Sequence, residues 1–149
     1  MTDHRLRIEA PTGDAMLEDW RHVHNVIVPP AAMSLEDVRE RDRRYHLDVA
    51  YLGDALVGCT TVRPPTGDTA TATVIARVLP AHRGQGFGEQ LYAHGMERAR
   101  ELGARVVETV VLESNTAGLR FAQARGFVEF ERYVLPGESV PWVELRLKS

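Results

Sequence analysis

The chain is short of cysteine. One cysteine, Cys59, stands among 149 residues, so neither an internal disulfide nor a cysteine-built metal cluster can form, and no metal is expected. Set in "ALVGCTTV", Cys59 reads as a small apolar filler. No apolar run approaches the ~20 residues that span a bilayer, so no membrane partner is expected. The first residues, "MTDHRLRIEA", have no apolar stretch of the secretory-signal kind. With the lone thiol, this gives the expectation of a reduced, cytoplasmic setting. Excess positive charge is missing too. The formal net charge of −3 argues against a nucleic-acid binder that works by bulk charge. Neither repeat nor linker nor low-complexity stretch interrupts the sequence, so 1–149 is read as a single domain. Its 44% of hydrophobic residues suffice for a core.

What is there is a regular alternation of element signals. "RLRIEA" reads as a first strand. "PTGDAMLEDWRHVHNVIV" reads as a helix capped by Thr12 or Asp14, with Ala15, Trp20, Val23 and Ile27 on its apolar stripe, stopped by Pro29-Pro30. "SLEDVRERDRRYH" has Ser34 and Asp37 at capping-box spacing and predicts a short, charged helix with Leu35 and Val38 as its apolar contacts. "LDVAYLGDALVGCTTVRPP" predicts two strands about Gly53-Asp54, with "PPTGD" as a loop. "TATATVIARVL" is β-branched and strand-like. "FGEQLYAHGMERARELG" carries Leu91, Gly95, Arg98/Ala99 and Leu102 along a helical stripe and stops at Gly103. "ARVVETVVLE" predicts a strand, and "SNTAGLRFAQARG" a helix capped by Ser114 or Asn115 and ended at Gly126. "FVEFERYVL" and "VPWVELRL" predict a hairpin around "PGES". The order is β-αα-βββ-α-β-α-ββ. Hairpins and one parallel crossover from Val74 to Leu112 predict an α+β fold with a mixed, mostly antiparallel sheet.

Chemistry concentrates at "LPAHRGQGFGEQL", Leu79 to Leu91. Here a strand feeds a turn with Gly84, Gly86 and Gly88, which becomes a helix at once. A helix N-terminus presents unpaired N–H groups and a partial positive charge. Glycines let an anion approach that backbone, and Arg83 adds a charge-assisted contact. The pattern predicts a pyrophosphate cradle. The spacing G-x-G-x-G in mid-chain does not fit the dinucleotide fingerprint, and without Gly-Lys-Ser/Thr it does not fit the Walker loop.

"VLPAHRGQGFGEQL" resembles the acyl-CoA pyrophosphate motif of the GNAT superfamily of N-acetyltransferases, Arg-x-x-Gly-x-Gly after a strand ending in Val-x-Pro. "NTAGLRFAQARGF", Asn115 to Phe127, resembles the superfamily's second motif, where Asn starts a helix that ends in Gly-Phe. The element order is similar along almost the whole chain. The resemblance implies that the strands on either side of the cradle helix splay apart and that pantetheine slots between them. It implies that the backbone of Val78 and Leu79 lies along pantetheine, with the Val78 N–H polarising the thioester carbonyl. It further implies that Gly84, Gln85, Gly86, Phe87, Gly88 and Glu89, with Arg83, hold the pyrophosphate. Asn115 and Phe121 complete the acetyl-CoA set, Asn115 serving also as a helix cap.

Many members carry, at the place of Ala122, a Tyr that protonates the leaving thiolate. Ala122 has no proton to give. Some members carry a catalytic glutamate five residues before the Asn, where this chain has Val110. Glu108 lies on the same strand face as Val110 and is the candidate base. Its other reading is a structural carboxylate paired with an arginine. Glu113 is read as solvated, Tyr133 as a strand-surface residue with a possible place in the pocket. His22 and His24, two apart, cannot share a helix face to bind a metal, though one of them can line the acceptor site. Arg77, on an interior strand, needs a partner: an internal ion pair or an acceptor carboxylate. The expected activity is acetyl transfer from acetyl-CoA to a primary amine of a small molecule by direct attack in a ternary complex, with a homodimer left open. The rival is a non-catalytic acyl-CoA binding or sensing module.

Overall fold

The computed structural model describes residues 5–147. Seven strands form one sheet: β1 (Arg7–Glu9), β2 (His46–Leu52), β3 (Ala55–Thr66), β4 (Thr71–Val78), β5 (Val106–Leu112), β6 (Phe127–Tyr133) and β7 (Trp142–Leu147). Four helices flank it: α1 (Asp14–Ile27), α2 (Leu35–Arg44), α3 (Phe87–Glu101) and α4 (Thr116–Ala124). The strand order is β1-β2-β3-β4-β5-β7-β6. Only β4 and β5 run parallel, as the α3 crossover between them requires. The α+β reading holds, with the last hairpin inserted so that β7 pairs β5 and β6 forms the edge.

Helices α1 and α2 cover one face. Leu17, Trp20, Val23 and His24 are the buried residues of α1. They pack with Val38, Leu47, Val49, Tyr51 and Cys59, and the Trp20 Nε1–H donates to the Thr60 carbonyl at 3.2 Å. The expected stripe is corrected here: Ala15 is exposed and Leu17 buried. The α1 N-cap is Gly13 with no side-chain cap bond, rather than Thr12 or Asp14. Asp14 instead pairs with Arg39 at 2.7 Å, tying the first turn of α1 to α2. The capping box of α2 forms as expected, with Asp37 N to Ser34 Oγ at 3.1 Å and Ser34 N to Asp37 Oδ2 at 3.0 Å.

Helices α3 and α4 cover the other face. Phe87, Leu91, Gly95 and Ala99 of α3 are buried against Val57, Val62 and the Ala72, Val74, Ala76 and Val78 side of β4. Strand β3 runs further than expected, through Pro64-Pro65 to Thr66. The prolines fall beyond the last β2 pairing, His46 with Val62, and inside a register break against β4. There a missing N–H costs no ladder bond.

Strands β4 and β5 pair over only three positions, Thr71 with Val106, Ala72 with Val107 and Thr73 with Glu108. Beyond Thr73 they diverge, and the sheet opens into a wedge at the N-terminus of α3.

Candidate active site

A cleft of about 340 Å³ occupies that wedge. Its walls come from both faces of the sheet. Ala76 and Val78 lie on the α3 side of β4; Ile75 lies on the α1 side, packed with Val28, Val110 and Leu112. The cleft therefore runs through the sheet. The α3–α4 end is bordered by the glycine turn, Asn115 and Phe121; the α1 end by Ile27, Val28 and Trp142.

The turn itself leaves its backbone open. A short 3₁₀ turn, Pro80–His82, delivers the chain to Arg83. Gly84 has φ 78° and Gly86 φ 83°, which other L-residues adopt only with strain. A Cβ at either would meet no atom within 4 Å. No protein contact therefore demands glycine there, while the open space is the path by which a phosphate would reach the amides opening α3. Gly88 answers a different need, because a Cβ there would lie 3.2 Å from the Phe121 ring. It lets α3 and α4 close around the cleft mouth.

The Leu79 N–H donates to the Val57 carbonyl at 2.8 Å. By strand alternation the Val78 N–H points the other way, into the wedge. The Val78 carbonyl accepts from Arg83 Nε at 3.1 Å. Asn115 caps α4 through Oδ1, accepting from Gly118 N at 3.1 Å, and borders the cleft as well.

Of the residues singled out from the sequence, the structure brings Val78, Arg83, Gly84, Gly86, Phe87, Gly88, Glu89, Asn115, Phe121 and Ala122 to the cleft wall. Leu79 and Gln85 are not among its lining. Neither is Glu108. Its carboxylate is held by Arg146, Nε at 2.9 Å and Nη2 at 2.7 Å. The reason lies in the register, since β7 sets Arg146 directly opposite Glu108. Where Val110 borders the cleft, Glu108 sits one pleat deeper in the closed part of the sheet.

The structure adds residues the sequence did not single out. Arg125 lines the cleft, pairs with Glu89 and stacks 4.7 Å from the Phe121 ring centroid, while its buried Nε has no partner. Tyr92 enters the wall from α3, edge-on to Phe121 and Phe127, and burial raises its phenol pKa. Glu144 lies opposite Val110. Burial and the neighbouring Glu131 carboxyl raise its pKa, and the Tyr133 hydroxyl donates to it at 3.4 Å. The only hint of these in the sequence was charge or hydroxyl in a strand or helix beside the motifs.

Across the sheet, His24 stacks on Trp20 at 5.3 Å. Burial and the Arg77 charge push its pKa down to about 4. His22 is exposed, so the two histidines diverge as their spacing requires. The buried Cys59 thiol is pushed up to about 12, mainly by burial, and stays inert.

The acetyltransferase (GNAT) family model matches residues 13–127. The chain belongs to the GNAT acetyltransferase family. Solved structures of similar fold include a candidate phosphinothricin N-acetyltransferase (TM-score 0.78, 20% identity, 97% of this chain and 98% of that one covered). A second is a candidate acetyltransferase from Salmonella typhimurium with its cofactor acetyl-CoA (TM-score 0.71, 18% identity, 96% and 93% covered). A third is a Bacillus subtilis acetyltransferase in complex with CoA (TM-score 0.71, 24% identity, 97% and 99% covered). At these identities the likeness shows the shared fold. No curated protein matches the chain. In this GNAT chain the wedge between β4 and β5 opens beside the glycine turn.

Proposed function

We propose that this GNAT protein transfers the acetyl group of acetyl-CoA to a primary amine of a small molecule, by direct attack in a ternary complex. The observation that carries the reading is the joining of two features: an anion cradle of open, positive-φ glycines, and a wedge that exposes a strand edge leading from it. The amides opening α3 would hold the pyrophosphate, with Arg83 and Arg125 supplying charge. Asn115 would contact the pantetheine arm. Bound acetyl-CoA supplies the thioester.

The Val78 N–H would donate to the thioester carbonyl oxygen as it gains charge, and one such donor is worth on the order of 10²- to 10³-fold in rate. Ala122 gives no proton. A thiol of pKa ~8.5 leaves adequately as thiolate near neutral pH. The amine must shed a proton, and Glu144 is our proposed acceptor, through water. Its raised pKa suits a base, and no salt bridge is formed by Glu144 among the described residues, whereas Glu108 is engaged by Arg146.

Ala122, with no carboxylate but Glu89 on the cleft wall, favours a second reading, a non-catalytic acyl-CoA binding module. Thiol release from acetyl-CoA across a panel of amines separates the two. Amine-dependent release supports transfer; acetyl-CoA binding with no release from any amine supports the module.

A further inference from the structure

Arg77 follows Ile75 on the α1 side of β4 and borders the cleft next to Val78. Its guanidinium lies deep in the molecule, yet the residue keeps some accessible surface and is part of the cleft lining. Its partner across the β3 ladder is Cys59, which carries no charge to balance it. Among the described residues, no carboxylate forms an ion pair with Arg77, Arg63 or Arg41. The internal ion pair that the sequence allowed for Arg77 does not form.

The surroundings deepen the imbalance. Arg63 and Arg41 both stack on the Tyr45 ring, at 5.4 and 6.0 Å, and the Arg63 Nε is buried with no hydrogen-bond partner. The charges of Arg41 and Arg63 both bear on Arg77, and that of Arg77 on His24. Asp48, the buried carboxylate of β2, is engaged elsewhere, with His94 at 3.2 Å and Thr60 at 3.4 Å. A buried cation without a counter-charge is costly, by several kcal/mol in general. A fold that keeps one beside a cleft, where a guanidinium fork can meet a planar oxyanion in two parallel bonds, is complete only when an anion arrives.

The charge on this face is also divided. Arginines stand on β3, β4 and α2, while on the same side of β6 and β7 Glu131 and Glu144 form no ion pair among the described residues, Glu108 of β5 being neutralised by Arg146. The open end of the β4–β5 wedge lies between the two groups.

We infer that the acceptor is a small amino acid, whose carboxylate is received by Arg77 while its amine faces the Glu144 side of the cleft. This deepens the acetyl-transfer reading and rests on it for the role of the amine.

The test uses the whole protein and the proteinogenic amino acids, with histamine, tryptamine and phenethylamine as decarboxylated counterparts. Calorimetry on CoA-saturated protein reads binding without turnover. Thiol release with acetyl-CoA reads transfer. At least one amino acid should bind at least about tenfold more tightly than amines without a carboxylate, and Arg77→Met should weaken it about 10- to 100-fold, the scale of hydrogen bonds to a charged group. Acetyl-CoA affinity should stay within about twofold, because Arg77 is on the acceptor side. Arg77→Lys should restore part of the loss by keeping the charge without the fork. Removing an uncompensated buried cation should leave the melting temperature equal or higher. The inference is overturned if no amino acid binds, if decarboxylated amines bind as tightly, or if Arg77→Met keeps the preference. Arg77-dependent amino-acid binding with no thiol release overturns the transferase reading, and with it the role of the amine as acceptor, while the carboxylate site at Arg77 stands. Release from amines without regard to a carboxylate does the reverse.

Discussion

Replacing Gly86 by alanine isolates the cradle. Gly86 has φ 83° and open space around a would-be Cβ. Forcing alanine into the left-handed region costs about 1–2 kcal/mol. A stiffer unfolded chain offsets about 0.4–1 kcal/mol of that. The net loss is on the order of 1 kcal/mol, or about 2–4 °C in melting temperature for a domain of this size. Binding should suffer more. A methyl at the mouth of α3 holds a phosphate off the amides, and each lost hydrogen bond to a charged group is worth about 1.5–3 kcal/mol, roughly 10- to 150-fold in affinity. Gly137 supplies the control. It has φ 82° and equally open space, but it lies between β6 and β7, away from the cleft lining. Gly137→Ala should bring a comparable strain and no change in acetyl-CoA affinity. Calorimetry with acetyl-CoA on both variants, alongside melting curves, decides the matter. If the two bind acetyl-CoA equally, the phosphate site is not at Gly86.

Arg83→Ala should lower acetyl-CoA affinity about tenfold, the low end for a charged contact because the side chain is exposed; calorimetry showing no change would remove Arg83 from the site. Glu144→Gln should cut kcat/KM by about 10²-fold or more with acetyl-CoA affinity intact, and should flatten the acid limb of the rate profile. Glu108→Gln should leave the rate per folded molecule unchanged and cost about 1 kcal/mol of stability through its partly exposed pair with Arg146; the opposite pattern in steady-state kinetics would exchange their roles. His24 governs an acid response. Its folded pKa of about 4 lies below the ordinary imidazole value of 6.5, so the unfolded chain binds the extra proton and stability falls as pH drops from about 6.5 towards 4, at up to about 1.4 kcal/mol per unit. His24→Phe keeps a ring against Trp20 and should lose less melting temperature between pH 7 and 5 than the parent; an identical loss would clear His24 of the effect.

Those parts of the molecule that local chemistry specifies were legible in the sequence. The capping box at Ser34 and Asp37, the turn at Gly53 and the glycine turn before α3 each need only neighbours in the chain. Arg77 and Glu108 were legible as residues in want of partners. What answered them was not, because it depended on strand order. Arg146 reaches Glu108 only because β7 inserts beside β5, from 38 residues downstream. Arg77 lacks a carboxylate only because α2 and β3 bring further arginines to its side. The exposed Ala15 and buried Leu17 show the same limit on a small scale, since the rotation of α1 is set by the sheet under it. Arg125 was visible as the residue before Gly126, but its aim at Glu89 needed α3 and α4 to meet over Gly88.

The wedge between β4 and β5 also makes the molecule two plates joined along a short seam. Three ladder pairs join a four-stranded plate to a three-stranded one, with side-chain packing on the two faces as the remaining tie. A long ligand laid into the opening acts as mortar between them, so the free protein should breathe along this line, with amides of β5 and the exposed edge of β4 exchanging with solvent sooner than those of β2 and β3. Filling the gap closes that route by mass action. If acetyl-CoA fills the gap as proposed, resistance to proteases should rise with its concentration.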